Sequence, residues 1–153
     1  MKQLFISIVC ITLLLSCSKN QRTINKLQGT WEIVTYKQGY LNGLTSVIDS
    51  QGDFIFSDFK IKSNTVGTFS RSQNFQIDGI PSVISEQGNY SIFDDGKGIT
   101  LQNLKSDGSF MPDLKMEINI ITSTDLILVG VINNINQTFI LKKKSNPKRT
   151  QSF

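Results

Sequence analysis

The chain has no histidine and no alanine, only two cysteines, three prolines and a single tryptophan in 153 residues. Each shortage excludes something. Without histidine there is no Ser-His-Asp or Cys-His mechanism and no imidazole ligand for zinc or copper. Three glutamates and nine aspartates remain for acid–base work, most of them in turn-like surroundings. Asp53 and Asp58 come nearest to a pair, but no neighbouring feature tunes one against the other. Asp94 and Asp95 beside Gly96 supply too few oxygens for calcium and read as a hairpin turn. No metal, no cofactor and no enzymatic activity are expected. Charge is mildly unbalanced, with 16 Lys and Arg against 12 Asp and Glu. The basic residues are scattered except for Lys142-Lys143-Lys144 and Lys148-Arg149. Nucleic acid is therefore not expected as a partner, and these two clusters read as a solvated strand end and a frayed terminus.

The only long apolar run lies at the amino terminus. Lys2 precedes Leu4 to Leu15, twelve residues without a charge. That is the length of a signal-peptide core, and well short of the roughly 20 residues a membrane-spanning helix needs. Leu14-Leu15-Ser16-Cys17 resembles a lipobox, with an aliphatic residue three before a cysteine and a small residue directly before it. The resemblance implies cleavage between Ser16 and Cys17 and attachment of lipid, including palmitate, to Cys17. Residues 1–16 are then a signal peptide, and residues 17–25 a lipidated cysteine with a short polar tether. Two or more acyl chains hold a protein stably on a membrane where one does not. Ser18, standing where Asp would favour inner-membrane retention in enterobacterial sorting, points to the outer membrane, facing the periplasm. Cys10 leaves with the signal and lipid takes Cys17. The mature domain therefore has neither a disulfide nor a free thiol.

The remainder is rich in Ile, Val, Phe and Thr, broken by Gly, Asn and Asp, which is the alternation of strands and turns. Pro81, Pro112 and Pro147 fall between the strand-like runs. Eight strands are expected: 30–38, 53–62, 65–71, 84–93, 99–104, 113–122, 125–132 and 137–143. In the second, Phe54 and Phe56 share a face and Phe59 and Ile61 share another, so a bulge at Ser57-Asp58 is expected. In the sixth, Leu114, Met116, Ile118 and Ile120 should face one way. The seventh is apolar on both faces and should be covered on both. Short connections favour antiparallel neighbours. Closure into an eight-stranded antiparallel up-and-down barrel would remove exposed edges. The barrel domain is expected over 26–144, with a basic, disordered tail over 145–153.

Leu27-Gln28-Gly29-Thr30-Trp31 resembles the Gly-x-Trp opening of lipocalins. With the lipobox, the short tether and a last strand ending in Lys142-Lys143-Lys144, the chain resembles small bacterial lipocalin-like lipoproteins. The resemblance implies a lipocalin-like barrel in which Trp31 closes one end. The family's distal arginine over that Trp has no counterpart, because no arginine occurs between Arg71 and Arg149. A lysine such as Lys142 would have to take its place, without a planar guanidinium to stack. Trp31, Phe54, Phe56, Phe69, Tyr90 and Phe139 are the expected barrel lining. They either border a cavity for a small apolar or amphipathic ligand or fill the interior solidly. The first alternative makes the protein an anchored ligand-binding lipoprotein. The second makes it an interaction or structural lipoprotein that acts through loops such as Phe110-Met111-Pro112.

Overall fold

The computed structural model describes residues 19–39, 44–58, 66–77, 79–104, 112–132 and 134–144. Residues 1–18, Cys17 among them, lie outside the described residues, as do Phe59, Ile61, Phe110, Met111 and the tail 145–153.

Among the described residues, nine strands follow one helical segment: β1 (Gly29–Gly39), β2 (Thr45–Ile48), β3 (Ser50–Asp58), β4 (Val66–Ile77), β5 (Ile80–Phe93), β6 (Gly98–Asn103), β7 (Leu114–Ile121), β8 (Asp125–Ile132) and β9 (Ile135–Lys143). Each strand from β3 to β9 pairs antiparallel with its sequence neighbour, and β1 pairs with both β3 and β9. These eight strands form a closed antiparallel barrel. Closure satisfies the backbone groups that an open sheet would leave at its edges. The ninth strand, β2, was not expected from sequence. It pairs with Tyr36–Gly39 of β1, on the same side that β3 pairs further back. At four residues it has too little periodicity to be read in advance.

Side chains alternate inward and outward as the strand period of two requires. Two bulges reset the alternation. One lies between Ile33 and Thr35, turning Val34 outward and bringing both Ile33 and Tyr36 into the core. The other lies between Ile118 and Ile120. It corrects the expectation for the sixth strand: Ile118 is buried, but Ile120 is exposed and Ile121 packs on the core in its place. The strand at 125–132 also differs from expectation. Leu126 and Leu128 are buried, yet Val131 is 60% exposed, because no second layer of described residues covers the outer wall. β3 pairs with β4 in one unbroken register through Asp58, so no bulge occurs at Ser57 within the described residues.

Residues 19–27 are helical, where a polar tether was expected through residue 25 and the barrel domain from 26. Thr23, Ile24 and Leu27 lie on one face of this segment, α1, and are buried. They shut the end of the barrel where β1 begins and β9 finishes. Gly96, in the turn between β5 and β6, has φ +87° and no side chain, and a Cβ there would collide with the Thr23 hydroxyl. That absence lets α1 dock, and Thr23 Oγ1 donates to the Gly96 carbonyl across 3.3 Å. Lys19 meets Asp95 in the same turn at 3.2 Å. The Asp94-Asp95 turn is thus a seat for the helix.

Candidate functional site

The barrel has two unlike ends. At the closed end, Trp31 is fully buried and its indole Nε1–H donates to the Leu27 carbonyl at 2.6 Å. Buried indole N–H groups need such a partner. Lys143 Nζ lies 5.0 Å from the centre of the Trp31 ring and donates to the Lys26 carbonyl at 2.9 Å. The cation over the tryptophan is therefore Lys143, where the sequence pointed to Lys142. The reason is register. Lys143 stands directly opposite Trp31 and follows Phe139 and Leu141 on the inward row, whereas Lys142 faces out and is exposed. Partial burial holds the Lys143 ammonium below its ordinary pKa. The neighbouring Lys144 binds the Asp53 carboxylate at 2.8 Å, which raises its pKa.

The six aromatics expected to line the barrel are all buried. Phe54, directly opposite Trp31 across β1 and β3, stacks on Phe56 with centroids 5.9 Å apart and meets Phe139 edge-on at 5.3 Å. Phe56 meets Tyr90 edge-on at 5.4 Å. Phe69 stands opposite Phe56 in the β3–β4 register and joins the same core. These rings pack on one another and fill the closed half.

Among the described residues the other end is open. A cavity of about 460 Å³ enters there, walled by a different set of side chains. Tyr36, Phe75, Ile84, Leu114 and Ile132 give it apolar surface, while Gln38, Arg71, Glu86, Asn103 and Gln137 give it polar surface. Arg71 forms the floor. Its guanidinium lies 5.7 Å from the Phe54 centroid and 5.6 Å from that of Phe139, so the aromatic core ends where the charge begins. Phe54 and Phe139 thus lie beneath the cavity without walling it.

Arg71 is only 5% exposed and binds the Glu86 carboxylate at 2.8 Å. The pair is a product of register, since Arg71 stands directly opposite Glu86 across β4 and β5. Burial pushes the guanidinium below its usual pKa, while Glu86 and, less strongly, Tyr36 pull it back up. Nearby, the Gln38 amide donates to the Tyr36 hydroxyl at 2.7 Å, and the Gln73 amide donates to Ser50 Oγ at 2.9 Å. Three buried polar atoms on these residues have no partner: Arg71 Nε, Gln73 Oε1 and Asn103 Oδ1. Buried polar atoms are normally paired, so such a group at a cavity floor calls for an explanation. The arrangement holds no nucleophile beside a base. What it offers is shape, apolar wall and unmet hydrogen-bonding capacity.

None of these mouth residues was named as a site in the sequence, although Leu114 was expected on an inward-facing row. The signal was present in the parity of β4. Phe69, Arg71, Gln73 and Phe75 fall two apart, so an inward Phe69 places an arginine and a glutamine inside the barrel as well. Among the described residues, no group of three or more Asp, Glu, Cys or His is placed to hold a metal ion.

No family model and no curated protein matches the chain. Solved structures do. A redesigned β-barrel aligns over 81% of this chain and 96% of its own length, at 19% identity and a TM-score of 0.52. Two other redesigned barrels, mFAP0 and mFAP1, both bound to DFHBI, have TM-scores of 0.50. mFAP0 is 18% identical and aligns over 77% of this chain and 99% of its own, and mFAP1 is 16% identical over 80% and 99%. The likeness is one of fold.

Proposed function

We propose that the protein is a non-enzymatic lipoprotein of the cell envelope that takes a small amphipathic molecule into the open mouth of its barrel. The observation that carries the binding half is the cavity of about 460 Å³ between Arg71 and the rim. Its size falls within the roughly 300–1,000 Å³ of small-molecule sites, and its wall mixes apolar and polar side chains in about equal measure, which suits an amphipathic ligand. The DFHBI complexes of mFAP0 and mFAP1 add that barrels of similar fold bind small molecules. Resemblance to the lipocalin-like lipoproteins supports the same reading from sequence.

Binding is tested by filling the mouth. Leu114 is partly buried and lines the cavity, so Leu114→Trp extends bulk into open space. The variant is expected to weaken binding of decan-1-ol, followed by native mass spectrometry, by at least about tenfold, or ~1.4 kcal/mol. Its thermal midpoint should stay within a few degrees of the parent. Unchanged binding would remove the mouth as the site.

The anchoring half rests on Lys2, the apolar run 4–15 and Leu14-Leu15-Ser16-Cys17. In cells fed an alkyne-tagged palmitate, the parent protein should carry the label and Cys17→Ser should carry none. A labelled serine variant would exclude Cys17 as the acceptor. Outer-membrane residence facing the periplasm is part of the same proposal, and density fractionation of the envelope checks it.

A further inference from the structure

We infer that the mouth selects ligands whose polar end is uncharged and both donates and accepts hydrogen bonds, a primary carboxamide or a hydroxyl, over ligands ending in a carboxylate. The inference rests on the proposed binding function and specifies the ligand's chemistry.

A lone buried arginine at the floor of a barrel would call for an anion. Arg71 is not alone. Glu86 binds it at 2.8 Å, the Glu86 side chain is 26% exposed, and both residues line the cavity. A ligand carboxylate brought to this floor would meet the guanidinium already neutralised and a second carboxylate beside it. Like charges that close in a poorly solvated site repel strongly. Each charge would also lose water without gaining a free counter-charge. Among the described residues that wall the cavity, Arg71 is the only cation, and Glu86 and Asp113 are the anions. The wall as a whole therefore disfavours a further negative charge.

The unmet polar atoms specify what does fit. Arg71 Nε–H is a buried donor without an acceptor, and Asn103 Oδ1 is a buried acceptor without a donor. Both residues line the cavity. Gln73 Oε1, two residues along the same inward row as Arg71, is a second acceptor without a donor. A primary carboxamide supplies one acceptor oxygen and two donor hydrogens, and a hydroxyl supplies one donor and an acceptor. Either satisfies atoms that an alkane would leave unpaired and that a carboxylate, which only accepts, would satisfy in part. Discrimination by such groups is strong because the alternative leaves a buried polar atom orphaned. Phe75, Ile84, Leu114 and Ile132 then cover the ligand's apolar body.

The experiment compares three ten-carbon ligands, decanamide, decan-1-ol and decanoate, for binding to the purified full-length protein at pH 8 by titration calorimetry. Decanamide and decan-1-ol are expected to bind at least about tenfold more tightly than decanoate. Glu86→Gln keeps the side chain's shape and releases the charge of Arg71, so it should raise decanoate to parity with decanamide or above. Decanoate binding as tightly as the other two to the parent protein would overturn the inference while leaving the binding function intact. Failure of all three to bind would count against the binding function itself. A Glu86→Gln protein that folds but leaves decanoate weak would show that the ion pair is not the selector, which also overturns the inference. The ranking in the parent protein decides the matter if the variant does not fold.

Discussion

Trp31→Ala should lower the unfolding free energy by about 3–5 kcal/mol, the range for truncating a buried Trp or Phe to Ala. The upper half of that range is expected. Trp31 is fully buried, and its indole hydrogen bond to the Leu27 carbonyl is lost with the ring. That carbonyl is left to α1, whose Ile24 and Leu27 pack in the same core cluster. The void therefore opens where helix meets barrel, and α1 should loosen with it. Against a typical total of about 5–15 kcal/mol, this is enough to leave the domain marginal. Urea titration followed by circular dichroism reads the change, since the variant loses the only tryptophan and with it the fluorescence signal. Amide exchange should accelerate over 19–27 more than in β7 or β8. A loss under about 1 kcal/mol would mean that the closed end is not packed as described.

Arg71→Met comes second, at about 2–4 kcal/mol. Breaking a buried ion pair by removing one partner costs roughly 3–5 kcal/mol, and the residual exposure of Glu86 lowers the figure, because its orphaned carboxylate keeps some water. The thioether side chain of Met fills much of the space over Phe54 and Phe139, so the cost is chiefly electrostatic. Adding Glu86→Leu should then recover stability to within about 1 kcal/mol of the parent, since apolar replacement of a buried pair is often neutral or better. Urea midpoints of the parent, the single and the double variant form the measurement. Recovery would show that the fold does not need the charges. Non-recovery would mean that the pair organises β4 and β5 beyond its own charge.

Most of the barrel was legible in the sequence because strand alternation is strong where one face is apolar. Phe54 and Phe56, Leu126 and Leu128, and Phe139 and Leu141 all face inward as their spacing requires. Alternation carries no such signal where the inward face is polar. The third strand was expected to end at Arg71, yet β4 runs on to Ile77. Its inward Gln73 is 1% exposed and hydrogen-bonded to Ser50, so a row that looks like a loop by composition is held as strand by pairing to β3 and β5. The same blindness hid the mouth, whose floor is Arg71 and Glu86. α1 was missed for a different reason. Only Thr23, Ile24 and Leu27 give the amphipathic spacing, too few to register in a stretch that is otherwise polar. The inward lysine was a matter of counting, since Phe139 and Leu141 on the core side put Lys143 there and Lys142 outside.

The helix that shuts one end also gives the molecule a direction. Lys19 pairs with Asp95 at the base of the barrel, while Gln38, Leu114 and Gln137 stand at the rim. If lipid is attached at Cys17 as proposed, α1 at the closed end would lie nearest the membrane, and the cup would stand with its mouth away from it. Its cargo would then be exchanged with the aqueous space or with a body facing it, and not drawn from the leaflet under its own base.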